Sequence, residues 1–161
     1  HGRYTHAKAR STGNLWLRHA KQWRRFDLAA SAGISLTPYG TSALWSLSAG
    51  YAPAAGLRLE AGAWQSMRLP TFTDLYYTSP AQINNLDLAP EHAVTYRLGV
   101  DYLKRSWNLS AQAYYRSGRD IIDWVWREDM GSKWHSEQTS SLDTFGIERA
   151  AIRFRKASCA A

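Results

Sequence analysis

The chain has 161 residues, 13% of them aromatic with eight tryptophans, yet its mean hydropathy is −0.45. Apolar side chains are therefore interleaved with polar ones, which excludes membrane-spanning helices of roughly 20 apolar residues but leaves open strands in which every second residue meets lipid. The formal charge of +7 admits an acidic partner, but basic residues collect near the two ends and at turns, without a basic helix or a glycine-rich phosphate loop; solvated charge at strand ends outweighs nucleic-acid binding.

In chain order, His1 to Thr12 has no periodicity, and residues 1–13 and 155–161 are expected to be irregular. No signal peptide or initiating methionine precedes His1-Gly2-Arg3, so an envelope protein's natural start is expected upstream. The lone Cys159 can form no internal disulfide. A strand over Asn14 to Ala20 leads to a tight turn at Lys21 to Trp23. From Arg24 to Leu36 the alternation is strict, with Phe26, Leu28, Ala30, Ala32, Ile34 and Leu36 on one face. Thr37-Pro38-Tyr39-Gly40-Thr41 breaks it, and Ala43 to Tyr51 repeats it with Trp45, Leu47, Ala49 and Tyr51 on one side.

After a turn at Pro53 to Gly56, Leu57 to Gln65 forms a further strand. A long connection, Met67 to Glu91, carries prolines, tyrosines and an asparagine pair and is a poor strand. Val94 to Tyr102 and Trp107 to Arg116 alternate again around a turn at Lys104 to Ser106. The second long connection starts at Ser117; its first part, Asp120 to Arg127, extends the preceding strand, and Met130 to Thr139 is expected to be polar loop. In the last strand, about Ser141 to Phe154, Phe145 and Ile147 hold one parity and Ile152 and Phe154 the other, which suggests either a bulge or a misplaced register.

Alternating strands in series fit a soluble sandwich or a membrane barrel. Segments of about nine to thirteen residues match the roughly 9–11 of a tilted spanning strand better than the usual 5–6 of globular proteins. Connections after alternate strands are short and those between are mostly long, with Thr37 to Ser42 the exception, which is the membrane-barrel pattern. Trp23, Tyr51, Tyr102 and Trp107 sit beside short turns, and Tyr39, Trp45, Tyr96 and Tyr115 toward the loops, as two interfacial girdles would. Arg58, Glu60, Arg97, Asp101 and Arg116 on the polar face suit a wet lumen. The fold expected is all-β: an antiparallel up-and-down meander of about seven long strands, forming part of a transmembrane barrel.

The segment Arg68-Leu69-Pro70-Thr71-Phe72-Thr73-Asp74-Leu75-Tyr76-Tyr77, then Asn85-Leu86-Asp87-Leu88-Ala89-Pro90-Glu91, then Val94-Thr95-Tyr96-Arg97-Leu98-Gly99-Val100, resembles the C-terminal part of the barrel of TonB-dependent outer-membrane receptors. Ala113-Tyr114-Tyr115-Arg116 continuing into Asp120-Ile121-Ile122-Asp123-Trp124 matches the same family, and the resemblance covers about Leu44 to Arg153. It implies a Gram-negative outer-membrane location and a barrel of about 22 strands around an N-terminal plug. It also implies uptake of a scarce ligand such as an iron chelate, a cobalamin or a glycan, driven through a TonB complex. Residues 1–161 would then be a partial barrel without its plug. Pro70, Phe72, Leu75, Asn85, Leu88, Pro90 and Glu91 carry the family motif as structural residues.

Candidate ligand contacts are Arg68 and Asp74, which could pair, Tyr76 and Tyr77, which could stack on a ligand or pack on the rim, and Trp124, Trp126 and Trp134, whose indoles suit flat or apolar ligands. The five histidines (His1, His6, His19, His92, His135) have no metal-ligand spacing, and no nucleophile context occurs, so no metal, cofactor or enzyme activity is expected. The alternative is a self-standing soluble β-domain that binds a polyanion through its basic termini.

Overall fold

The computed structural model describes residues 3–4, 9–104, 107–129 and 131–153. The histidines His1 and His6, the end of the Lys104 to Ser106 turn, Met130, Phe154, Cys159 and the segment 155–161 lie outside the described residues.

Seven long strands run up and down in order: β2 (Gly13–Trp23), β3 (Phe26–Thr37), β4 (Gly40–Ala54), β5 (Leu57–Arg68), β8 (Glu91–Lys104), β9 (Trp107–Arg127) and β10 (Lys133–Arg153). They form one sheet with the order β2-β3-β4-β5-β8-β9-β10, each antiparallel to the next. The strands are longer than alternation alone marks out, and several turns move. Lys21 to Trp23 belongs to β2, and the turn is Arg24-Arg25; Pro53 and Ala54 belong to β4, and the turn is Ala55-Gly56. Gly56 has φ +79°, and a Cβ there would lie 2.0 Å from the Leu103 carbonyl oxygen, so this tight turn needs glycine.

At the last hairpin one expectation fails and one open alternative is decided. Lys133 to Thr139 is strand, because the hairpin continues past the rim and pairs Lys133 with Arg127. Of the bulge and the misplaced register, the second holds: pairs from Lys133↔Arg127 to Arg153↔Trp107 keep a single register. Asp120 takes a left-handed φ of +57° without inserting a residue. Phe145 and Ile147 therefore face outward opposite Tyr115 and Ala113, whereas Ile152 faces inward opposite Asn108.

Directly opposed residues share a face, so the register assigns both faces. Leu17, Ala32, Trp45, Ala63, Tyr96 and Tyr115 mark the outward one, and its large apolar side chains are open: Leu17 is 80% exposed, Leu98 66% and Phe145 68%. The inward face carries Asp27–Arg58 (2.8 Å), Arg58–Glu60 (2.7 Å) and Ser31–Ser46 (2.7 Å) contacts. Gly50 is buried under the first of these, where a Cβ would meet both Arg58 and Asp27.

The large buried apolar side chains among those described, Pro70, Leu75, Leu88 and Ile122, and Ala93 beside them, are all at one end of the sheet. A soluble sandwich would instead bury one whole face of the sheet. Apolar outside and ionic inside is the membrane-barrel arrangement.

Candidate functional site

The connection between β5 and β8 is not featureless loop. It contains a short helix, α1 (Phe72–Tyr76), and the two-residue strands β6 (Tyr77–Thr78) and β7 (Gln82–Ile83). β6 pairs with β1 (Arg3–Tyr4) of the N-terminal segment, so part of the expected irregular start is ordered. The helix starts where it does because Thr71 and Asp74 form a capping box. Thr71 Oγ1 accepts from the Asp74 N–H at 3.2 Å, and the Asp74 carboxylate accepts from the Thr71 N–H at 2.9 Å and its hydroxyl at 2.7 Å. The helix end is closed by the asparagine pair: Asn84 Nδ2 donates to the Leu75 carbonyl (2.6 Å) and the Asn85 N–H to the Asp74 carbonyl (3.1 Å). Asn85 Oδ1 then accepts the Asp87 N–H in an Asx turn.

The loop folds over the inner side of the β9–β10 hairpin. Leu75 and Leu88 pack on Ile122, with Tyr76 against them, and Pro70 is fully buried. On the far side, β7 adds to β10 in parallel, pairing Gln82 with Trp134 and Ile83 with His135. Gln138 completes the seam: its amide donates to the Ala89 and Asp120 carbonyls (2.9 Å each) and accepts the Ala89 N–H (3.2 Å).

An ionic clasp ties the two ends of this loop to the hairpin. Arg68 and Glu91 are opposed across β5 and β8, and Arg68 grips the carboxylate with two N–H donors, Nε at 2.8 Å and Nη2 on the other oxygen. Glu91 Oε1 also accepts the buried Ile122 N–H at 2.7 Å. Arg68 and Asp74, which could pair on sequence, do so at 3.8 Å; the shorter contacts go to Glu91, because the strand register opposes it to Arg68. The clasp sits beyond the Trp45–Tyr96–Tyr115 girdle, outside the spanning segment. Desolvation pushes the Glu91 carboxyl up, but the hydrogen bonds from Arg68 and the Ile122 N–H, with the charges of Arg68 and Arg116, outweigh it and hold the carboxyl below its usual value. The same Glu91 contact raises Arg68.

The remaining candidates divide. Tyr76 is half-buried against the loop core and stands 6.0 Å from Phe72, whose ring carries the Arg10 guanidinium at 5.2 Å. Tyr77 lies in β6 opposite Tyr4, and Pro90 is half-buried just before β8. Trp124 faces inward opposite Ser136, while Trp126 and Trp134 are cross-strand partners near the hairpin tip. Their rings meet edge to face at 5.6 Å, and each is nearly half exposed (45% and 43%). Thr71, Asn84, Ile122, Gln138 and Arg10, whose guanidinium donates to the Pro70 carbonyl at 2.7 Å, were not foreseen as parts of the site. The Thr-x-x-Asp spacing was a usable signal for the first of them.

The model of the family described as TonB-dependent receptor-like β-barrel matches residues 2–148. The chain belongs to this family. Among curated relatives of this receptor family is the vitamin B12 transporter BtuB of Vibrio vulnificus, 27% identical over 114 residues, covering 71% of this chain and 18% of the relative. That of Photobacterium profundum is 25% identical over 115 residues, covering 70% and 18%. The chain thus spans under a fifth of the length of the curated relatives it matches. Among solved structures, the siderophore receptor PirA from Pseudomonas aeruginosa superposes with a TM-score of 0.74 at 14% identity, covering 86% of this chain and 27% of that one. The copper transporter OprC gives 0.73 at 16%, covering 90% and 26%. These likenesses show the receptor-barrel fold. The family match reaches further toward the N-terminus than the motifs do and stops at residue 148, where the apolar outward stripe of β10 gives way to Arg149.

Proposed function

We propose that this chain is a barrel segment of an outer-membrane uptake receptor of a Gram-negative bacterium, and that its clasped loop and long hairpin help to form the outer mouth where a scarce ligand is captured. The observation that carries the reading is the distribution of burial in a member of the receptor family: an open apolar outward face, an ionic inward face, and a packed core only in the module built on one rim. The sheet ends on β2 at one edge and on β10 below β7 at the other. Both edges would be satisfied by further strands of a larger barrel.

Ligand contact is assigned to Trp126 and Trp134, with Trp124 behind them, because two half-exposed indoles at the end of a rigid hairpin suit a flat or macrocyclic ligand. Arg68, Asp74 and Glu91 serve to hold the loop, and Tyr76 packs beneath it. A cobalamin is the first ligand to test, since both curated relatives carry the name of vitamin B12 transporter; iron chelates and glycans follow. In the full receptor, transport would draw on a TonB complex acting through a plug domain. The test is binding of cyanocobalamin and of ferric chelates to outer membranes containing the full-length gene product. Trp126→Ala combined with Trp134→Ala should weaken the ligand that binds by at least about tenfold. Unchanged affinity for every ligand in that variant would overturn the assignment.

A further inference from the structure

The short-turn rim carries two outward-facing arrangements of the same composition, one at each of two hairpins. At the first, Lys21 and Trp23 lie on the outward face of β2 opposite Leu28 and Phe26, with the Lys21 ammonium 5.1 Å from the centre of the Trp23 ring. Beside them Phe26 stacks on Tyr51 at 4.3 Å, and the turn itself is Arg24-Arg25, whose second arginine donates to the Pro53 carbonyl of the next turn. An apolar groove of about 560 Å³ starts at this belt, walled by Trp23, Phe26, Leu28, Tyr51 and Leu59 over a floor that includes Ala61. At the second, Lys104 and Trp107 face each other across β8 and β9, and a groove of about 600 Å³ is lined by Tyr102, Lys104, Trp107 and Leu109. The acidic residues of this end, Asp27, Glu60 and Asp101, fall on the opposite, inward parity; Asp27, which borders the first groove, and Glu60 are both paired with Arg58. The outward side of the rim is therefore cationic with no carboxylate on it among the described residues.

We propose that this rim binds anionic glycerophospholipid, with Lys21 and Lys104 contacting headgroup phosphates, Arg24 and Arg25 adding charge at the first position, and the grooves receiving acyl chains. The inference rests on the barrel reading above, which sets the outward face in lipid and the short turns in the leaflet away from the ligand mouth. Each part has a physical reason. Tryptophan and tyrosine hold the level of the headgroups; a lysine stem lies along apolar surface while its ammonium reaches the phosphate layer; and unopposed basic residues select anionic over zwitterionic lipid. One arrangement alone could be ordinary girdle chemistry. Two with a lysine beside a tryptophan above an apolar groove, and no nearby outward carboxylate, favour a lipid of negative headgroup.

The test is native mass spectrometry of the full-length gene product released from mild detergent, with phosphatidylglycerol, phosphatidylethanolamine, lipopolysaccharide or inorganic phosphate added in separate arms. Phosphatidylglycerol adducts should exceed phosphatidylethanolamine adducts. Lys21→Gln with Lys104→Gln should reduce the phosphatidylglycerol adducts by roughly fivefold per lysine. Lys21→Arg with Lys104→Arg should retain them, which separates loss of charge from loss of fold, and raising the salt should weaken the preference. Equal adducts from the two phospholipids, adducts that survive in the glutamine variant, or a preference for lipopolysaccharide or free phosphate would overturn the proposal. A gene product that never partitions into membranes would overturn the barrel reading itself, and the lipid site with it.

Discussion

At the short-turn end of the sheet two hairpins close in two residues, Arg24-Arg25 and Ala55-Gly56, and no buried apolar side chain among the described residues lies there. At the other end the chain spends Leu69–Pro90 on one connection and extends a hairpin well past its neighbours, and there the buried apolar residues gather. The charges differ as well. Lys21 and Lys104 stand outward beside the short turns, whereas Asp74, Asp87, Asp123, Glu128, Asp129 and Glu137 are all at the loop end. Between the rims the sheet needs no core of its own, because lipid covers one face and water the other. Beyond the outer rim there is no lipid to do that, so the projecting strands are held by a miniature core, a strand addition and a clasp.

If that contrast is right, substitutions in the outer module should loosen the loop locally and leave the spanning strands intact. The largest effect is expected from Leu88→Ala, which removes a side chain only 2% exposed from a core of a few residues. It should cost about 3 kcal/mol of local stability, read as faster amide exchange over residues 71–89 with exchange at 95–102 unchanged. Glu91→Ala comes next. It leaves the buried Ile122 N–H and one side of Arg68 without their partner, and about 2 kcal/mol of the same protection should be lost. Thr71→Ala removes the helix cap and should cost about 1 kcal/mol.

Acid sharpens the comparison from the other side. Glu91 is held below its unfolded value, so its contribution is fully present above the unfolded carboxyl pKa of about 4.3 and is lost as pH falls through the lower folded value. Loop protection should be flat from neutral pH to about 5 and decline only below about 4.3, again without change in the spanning strands. The smallest effect is expected at the opposite rim. Arg25→Ala breaks one exposed hydrogen bond to Pro53 and should leave exchange across the sheet unaltered.

The same contrast explains what could be read from the chain. Between the girdles one face meets lipid and the other water, so period-two alternation at Phe26 to Leu36 or Val94 to Tyr102 identifies strand, face and parity together. Turns slipped by two or three residues because Lys21, Gln22 and Pro53 sit at the rim, where both faces are wet or interfacial and the pattern fades. Lys133 to Thr139 read as loop for the same reason. That strand lies beyond the membrane and is paired through its backbone, so its side chains need not alternate.

The apparent parity change before Ile152 came from assuming that every apolar residue faces outward; the unbroken register puts Ile152 inward. The clasp was hidden in a different way. Arg68 and Glu91 are far apart in sequence, and only continuing both strands by two or three residues past their apolar stripes opposes them. The Thr71–Asp74 spacing, by contrast, was present to be read as a helix start.

The central claim is that the sheet faces lipid with its apolar side and water with its ionic side. The most direct test places single nitroxide labels at Leu98, Ala113, Gly99 and Gln112, with Cys159 replaced by serine, in the full-length product reconstituted in bilayers. The labels at Leu98 and Ala113 should collide with dissolved oxygen and be shielded from a water-soluble paramagnetic nickel complex, and those at Gly99 and Gln112 should show the reverse. Equal access of the nickel complex at all four positions, or the opposite alternation, would contradict the account.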